Sequence, residues 1–333
     1  MSQENRQILL QSNPQGKLAV EHFRQGAGPI PTPGPGQVLL RTLMLSLDAA
    51  NRAWMQGATY RSAVEAGQVM AGGAIAEIVE SNDPAFAVGE RVFADTGWQD
   101  YAAVAGDKLF KLPDIEPISH LLSVYGVAGL TAYFGLLRYG EPRPGETVVV
   151  SAAGGSVGSL VGQIAKIQGC RVVGIAGGAD KCALLQRELG FDAVVDYKAP
   201  QFKKALIEAC PKGIDVYFDN VGGPVFEACL FGMNLRGRIA CCGAVSAYDG
   251  TPPTAGPRGV PGLIVTKRLT VRGFIVMDHY GERDQAIAQM RQWVQSGQLK
   301  VREDIVDGLE NAPAALVGLL AGENIGKRMV RVR

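Results

Sequence analysis

The stretch of this 333-residue chain most suited to chemistry is Val148-Val149-Val150-Ser151-Ala152-Ala153-Gly154-Gly155-Ser156-Val157-Gly158, with Gly162 one turn later. An apolar run enters a glycine-rich turn and leaves it as an amphipathic segment, the pattern of a buried strand opening into a helix around a phosphate. Ala153-x-Gly155-x-x-Gly158 takes the three positions of a GxGxxG fingerprint, with alanine at the first. Gly155 lets the backbone approach a pyrophosphate, Gly158 lets helix and strand pack closely, and the helix N-terminus offers free N–H donors and partial positive charge. A glycine triplet also arises by coincidence, so its place after the first strand of a βα series is what favours dinucleotide binding.

Discrimination between nicotinamide cofactors falls about 20 residues on, where an acidic residue at the second strand tip would hold a ribose 2′-hydroxyl. The chain reads Gly174-Ile175-Ala176-Gly177-Gly178-Ala179-Asp180-Lys181 there. Glycines occupy the tip, and Asp180 suits N-capping of the next helix. Lys181 falls in the first turn of that helix, where the dipole disfavours a cation. A bound 2′-phosphate would offset that mismatch; a solvated surface lysine is the alternative.

Other chemistry is limited by what is missing. Zinc takes three or four protein ligands, usually Cys or His, and residues 1–124 hold no cysteine and two histidines, His22 and His120. No metal is expected, and carbonyl activation is left to hydroxyls, amides and the cofactor. All six cysteines lie beyond residue 169 without a CxxC pair, as expected of reduced core thiols and not of a zinc ribbon or a secreted disulfide framework. Lysine plus arginine number 33 against 32 aspartate plus glutamate, a formal charge of +1 that gives no uniform field for nucleic acid or an anionic membrane. No apolar run reaches the ~18 residues of a spanning helix. Residues 1–11 lack the basic start and apolar core of a signal peptide, so a cytoplasmic protein is expected.

These residues need elements to position them, and the chain divides by texture. Residues 4–106 show short β-like runs (7–11, 18–23, 38–47, 72–80, 91–94, 101–104) punctuated by glycine and proline, which predicts an irregular, mostly β domain. From 147 to 274, apolar runs alternate with amphipathic stretches, the βαβ signature. Strands are predicted at 147–151, 171–176, 193–196, 216–219, 238–242 and 270–276, with helices at 157–168, 181–189, 201–209, 225–234 and 284–296. A helix over 118–137 would link the two units. A strand at 303–306, a helix at 312–320 and a strand at 327–332 would return to the first. The domains are therefore expected at 1–124, completed by 300–333, and at 125–299. A β-rich domain joined to a dinucleotide unit suggests an alcohol-dehydrogenase-like α/β architecture.

Seven ordered segments carry a family resemblance: Gly129-Leu130-Thr131-Ala132-Tyr133-Phe134-Gly135-Leu136, the 151–162 turn, Ala176-Gly177-Gly178-Ala179-Asp180-Lys181, Asp196-Tyr197-Lys198, Phe218-Asp219-Asn220-Val221-Gly222-Gly223, Cys242-Gly243-Ala244-Val245-Ser246-Ala247-Tyr248 and Asn324-Ile325-Gly326-Lys327. On these the chain resembles, end to end, the zinc-free medium-chain dehydrogenases/reductases. The branch is that of prostaglandin reductases, leukotriene B4 12-hydroxydehydrogenases, plant double-bond reductases and bacterial curcumin reductases.

The resemblance implies a GroES-like catalytic domain and a Rossmann doubly wound parallel sheet, NADPH as cofactor, a homodimer, and reduction of the C=C bond of α,β-unsaturated ketones and aldehydes without metal. It puts Lys181 and Tyr197 on the adenosine 2′-phosphate, with Gly178 giving it room, and Asn220 and Asn324 on ribose and phosphate. Thr131, Ala153, Gly155, Ser156, Val157, Gly158, Cys242, Gly243, Phe274, Ile275 and Val276 would also border the cofactor. Tyr248 would be the catalytic hydroxyl, and Asn51, Arg52, Tyr60 and Met277 would shape the substrate pocket. The chain departs from the branch where Asp-Pro-Tyr-Met-Arg is usual: Asp48 and Arg52 agree, while Ala49 and Ala50 replace proline and tyrosine. The rival readings are an NADPH quinone reductase on the same scaffold and a redox-sensing relative that binds NADPH without turnover.

Overall fold

The computed structural model describes residues 4–249 and 256–332. An all-parallel sheet of six strands, Thr147–Ser151, Arg171–Ala176, Ala193–Asp196, Ile214–Asp219, Met233–Cys241 and Thr270–Gly273, forms the middle of the chain. Thr147–Ser151 lies between Arg171–Ala176 and Ile214–Asp219, with Ala193–Asp196 at one edge and Thr270–Gly273 at the other. Strand order thus reverses beside Thr147–Ser151, and sheets of this kind bind ligands beyond the strand C-termini at such a reversal. Ser151 and Asp219 stand at that point. Val148, Val149 and Val150 are fully buried because crossover helices cover both faces, which is why the run shows no alternation.

A second, seven-stranded sheet runs in the order Glu303–Asp307, Lys327–Arg331, Gln37–Ser46, Gly73–Ser81, Arg91–Asp95 and Phe110–Lys111, with Tyr101–Ala105 also paired to Gln37–Ser46. Two of these strands come from the end of the chain, and Val330 lies opposite Leu45. They share a core with Met70 and Trp98.

Several expected elements differ. The run 18–23 is not a strand: Val20–His22 is a short 3-10 turn, and the strand is Phe23–Pro29, paired antiparallel to Glu4–Leu10. The Leu18 amide instead donates to the Asp249 carboxylate at 2.6 Å, which makes this segment a tether. The expected helix 118–137 is broken. Ser119 and Ser123 donate to Glu303 at 2.7 and 2.5 Å, holding a 3-10 turn at Ile118–Leu121, and a helix restarts at Val127–Phe134. The helix expected to reach 234 ends at Gly232, because the Asn234 side chain bonds the Lys212 carbonyl at 2.9 Å and Asp215 at 2.7 Å, drawing the chain into a strand from Met233. Pairing of the last parallel strand stops at Gly273, after which Phe274 stacks on Tyr139 with ring centroids 4.8 Å apart. The helix Val260–Lys267 lies outside the expected elements; proline stands in its first turn, where a missing N–H costs nothing.

Candidate active site

The glycine-rich turn is built around one carbonyl. Ala152 adopts a positive φ of 49°, and its carbonyl accepts the Gly155 amide at 2.9 Å. A Cβ on Gly158 would lie 2.3 Å from that oxygen, so only glycine lets the helix Gly158–Ile167 start this close to the strand. Gly155, Ser156, Val157 and Gly158 line a cleft of about 1540 Å³ to which both sheets contribute. Ala153 does not: fully buried, it gives its amide to the Ile175 carbonyl at 2.9 Å and faces the sheet. The first fingerprint position is therefore a packing position here.

At one end of the cleft the cations gather. Lys181 and Tyr197 line it, joined by Lys198 and by Arg328 from the other sheet. Burial, then repulsion from Lys198 and Arg328, lowers the Lys181 pKa. Its ammonium donates to the Gly322 carbonyl. Asp304 holds Arg328 at 2.7 Å, and the Lys198 ammonium sits 5.9 Å from the centroid of the Tyr197 ring. Arg328 is paired with Asp304, while Lys181 and Lys198 face the cleft with their charges close together, a surrounding that suits a 2′-phosphate. Gly178 is not part of the wall; its φ of 94° makes it the left-handed entry to the helix Ala179–Leu189.

In the middle, the Asp219 carboxylate, buried at the strand tip, accepts hydrogen bonds from the Tyr217 hydroxyl at 2.6 Å and from the Val221 and Gly222 amides at 3.0 and 2.9 Å. Those bonds hold the loop so that Asn220 borders the cleft, with its side-chain N–H on the Ser151 carbonyl at 2.8 Å. From the other domain Asn324, nine-tenths buried, bonds the Gly326 carbonyl at 2.8 Å. Both would suit ribose and phosphate groups.

At the far end Thr131, Cys242, Gly243, Phe274, Ile275 and Val276 form the walls. Burial first, then Asp219 and Cys241, pushes the Cys242 thiol up to about 12, so it is a neutral surface. The Tyr248 hydroxyl oxygen accepts the Ala244 amide at 3.3 Å, which leaves its own proton free to be donated into the cleft. Tyr60, Met277, Ala49, Ala50 and Trp54 surround the space beyond.

Asn51 and Arg52, expected at the pocket wall, lie behind it and are 1% exposed. Asn51 accepts the Asp48 amide at 2.8 Å and donates to the Ala71 carbonyl at 3.1 Å. Arg52 bonds the Gly16 carbonyl at 2.7 Å and Asp249 at 3.2 Å. The short helix Ala50–Ala53 turns both inward, away from the cleft. Lys198 and Arg328 line the cleft although neither is among the site residues expected from the sequence. Lys198 adjoins Tyr197, a local signal that could have found it, while Arg328 reaches the cluster only through the second sheet. Among the described residues, no group of three or more His, Cys, Asp or Glu could hold a metal ion.

Comparison with known proteins gives this site its context. Residues 6–112 match the family described as the N-terminal domain of oxidoreductase, and residues 156–296 the family described as zinc-binding dehydrogenase. The chain is 48% identical to the NADPH-dependent curcumin reductase of Escherichia coli (strain K12) over 99% of this chain and 97% of that one. It is 43% identical to prostaglandin reductase 1 of Bos taurus over 89% of each. The crystal structure of CurA from Vibrio vulnificus in complex with NADPH superimposes with a TM-score of 0.94 at 44% identity, over 98% of this chain and 99% of that one. With a six-stranded parallel nucleotide sheet, a mixed sheet completed by the chain's end and full-length relatives at this identity, the chain belongs to the medium-chain dehydrogenase/reductase family, in the branch of the curcumin and prostaglandin reductases.

Proposed function

We propose that the protein is an NADPH-dependent oxidoreductase that saturates the C=C bond of α,β-unsaturated ketones and aldehydes. The observation that carries this reading is a single cleft with Lys181, Lys198 and Arg328 at one end and, at the other, a tyrosine hydroxyl whose oxygen is already hydrogen-bonded by the Ala244 amide. Lys181, Lys198 and Arg328 hold the 2′-phosphate, the 155–158 turn and the helix behind it the pyrophosphate, and Asn220 and Asn324 the ribose side. When bound, the cofactor supplies hydride to the β-carbon of the enone. Tyr248 hydrogen-bonds the carbonyl oxygen as negative charge gathers there, and tyrosine or water then supplies a proton to the α-carbon of the enolate. Ala49 and Ala50 leave width in the pocket beside Trp54 and Tyr60.

The reading assigns residues 1–124 with 300–333 to the catalytic unit and 125–299 to the nucleotide unit. It takes the reaction to need no metal. A homodimer is part of it, supported by the edge strand Thr270–Gly273 and the exposed apolar side chains of Val265, Val271, Phe231 and Leu235. It places the protein in the cytoplasm with no nucleic-acid or membrane partner; no helix among the described residues is long and apolar enough to cross a membrane. Steady-state NADPH oxidation with 2-alkenals, enones and quinones, with product analysis, tests the activity. Saturated carbonyl products support it. Turnover of quinones alone would make the protein a quinone reductase, and no turnover would leave a binding protein.

A further inference from the structure

The loop that carries Tyr248 leaves the parallel sheet, yet its end is gripped by the other domain. Asp249 Oδ1 accepts the Leu18 amide at 2.6 Å and the Arg52 Nε at 3.2 Å. The Gln56 side-chain amide donates to the Tyr248 carbonyl at 3.0 Å. Arg52 is itself immobilised, 1% exposed, with one guanidinium nitrogen donating to the Pro14 and Gly16 carbonyls at 3.3 and 2.7 Å. On the side of its own sheet the loop is held through Ser246, whose hydroxyl and amide donate to the Val221 carbonyl at 2.6 and 3.0 Å. Tyr248 thus hangs between two anchors, one in each domain, and the charged one is the Arg52–Asp249 pair.

An arginine buried to this degree has lost its hydration, and two backbone carbonyls make up only part of that loss. Its carboxylate partner is the residue next to the proposed proton donor, on a different domain and 197 positions away in the chain. Core packing alone has no need of that pairing, whereas a donor that must meet a developing oxyanion depends on a fixed loop. We infer that Arg52 and Asp249 are positioning residues: their ion pair is an interdomain latch that fixes the Tyr248 loop against the catalytic domain and so aims the phenol into the cleft. The inference rests on the reading of Tyr248 as donor, but the latch itself can be measured without it.

The test is a double-mutant cycle with a structural readout. Asp249→Asn keeps an oxygen for the Leu18 amide and removes the charge that Arg52 pairs with. With the best enone it should lower kcat by about tenfold to a hundredfold, as expected of a misplaced catalytic group, with KM and the NADPH dissociation constant changed less than about twofold. In a Tyr248→Phe background the same change should cost almost nothing more, because the group it positions is gone. Hydrogen exchange of the 245–248 amides should quicken in Asp249→Asn while the parallel strands keep their protection. Arg52→Lys, which retains the charge, should keep more kcat than Arg52→Met. Wild-type exchange at 245–248 in Asp249→Asn would overturn the latch, as would losses that multiply across the cycle. If Tyr248→Phe alone kept full kcat, the donor reading would fall, and the exchange measurement would decide the latch by itself.

Discussion

The amide of Gly326 donates to the carbonyl of Gly154 at 2.8 Å, tying the segment before the last strand to the glycine-rich turn of the parallel sheet. Residues 155 and 326 also form an isolated parallel bridge. Through this link Asn324 reaches the cleft beside the glycine-rich turn, and the strand Lys327–Arg331 brings Arg328 to Lys181. The end of the cleft that carries Lys181, Lys198 and Arg328 is thus shared between two domains.

Cofactor preference should follow from that cluster. Lys181→Ala removes a charge-assisted contact of about 1.5 to 3 kcal/mol, and its partial exposure sets the lower end as the better guide. The NADPH Michaelis constant should rise on the order of tenfold while that for NADH stays near wild type. Lys198→Ala should move it the same way by less. Steady-state kinetics with both cofactors checks this, and equal losses with the two would make Lys181 structural.

Tyr248→Phe tests the chemistry. One donor to a developing oxyanion contributes roughly 2.7 to 4 kcal/mol, so kcat should fall about 100- to 1000-fold with NADPH affinity unchanged. A deficit nearer tenfold would mean that a ribose hydroxyl or water shares the role. Full kcat with weakened cofactor binding would move the search for the donor to Tyr60, which lines the same cleft.

Gly158→Ala would push a methyl group to 2.3 Å from the Ala152 carbonyl. The helix must then shift off the strand, at a cost of about 1 to 3 kcal/mol. A thermal shift measurement should show a lowered Tm, and the stabilisation that NADPH confers should shrink, because the same movement widens the pyrophosphate turn. An unchanged Tm in the presence of NADPH would contradict the close packing described for this turn.

Extended chelation should leave enone reduction intact, since residues 1–124 contain no cysteine and the described residues gather no metal-ligand cluster. Elemental analysis of the purified protein accompanies the assay. Stoichiometric zinc whose removal abolishes turnover would reverse this assignment.

The parallel sheet and its glycine-rich turn are legible in the sequence because their determinants are local. Val148-Val149-Val150 is buried on both faces and so lacks alternation, and the glycine spacing follows from how near one helix must come to one carbonyl. Lys181 stood out for a similar reason, as a cation in the first turn of a helix. Contacts between distant segments leave no such mark. Nothing around Arg328 in the sequence tells of Lys181, and nothing around Arg52 tells of Asp249, since each pair meets only after two domains have docked. The family resemblance places Arg52 at the pocket; the inward turn of Ala50–Ala53 decides otherwise. The break in the expected helix 118–137 has the same origin: an apolar, helix-compatible run yields where Ser119 and Ser123 find Glu303, a partner about 180 residues away whose position only the folded chain supplies.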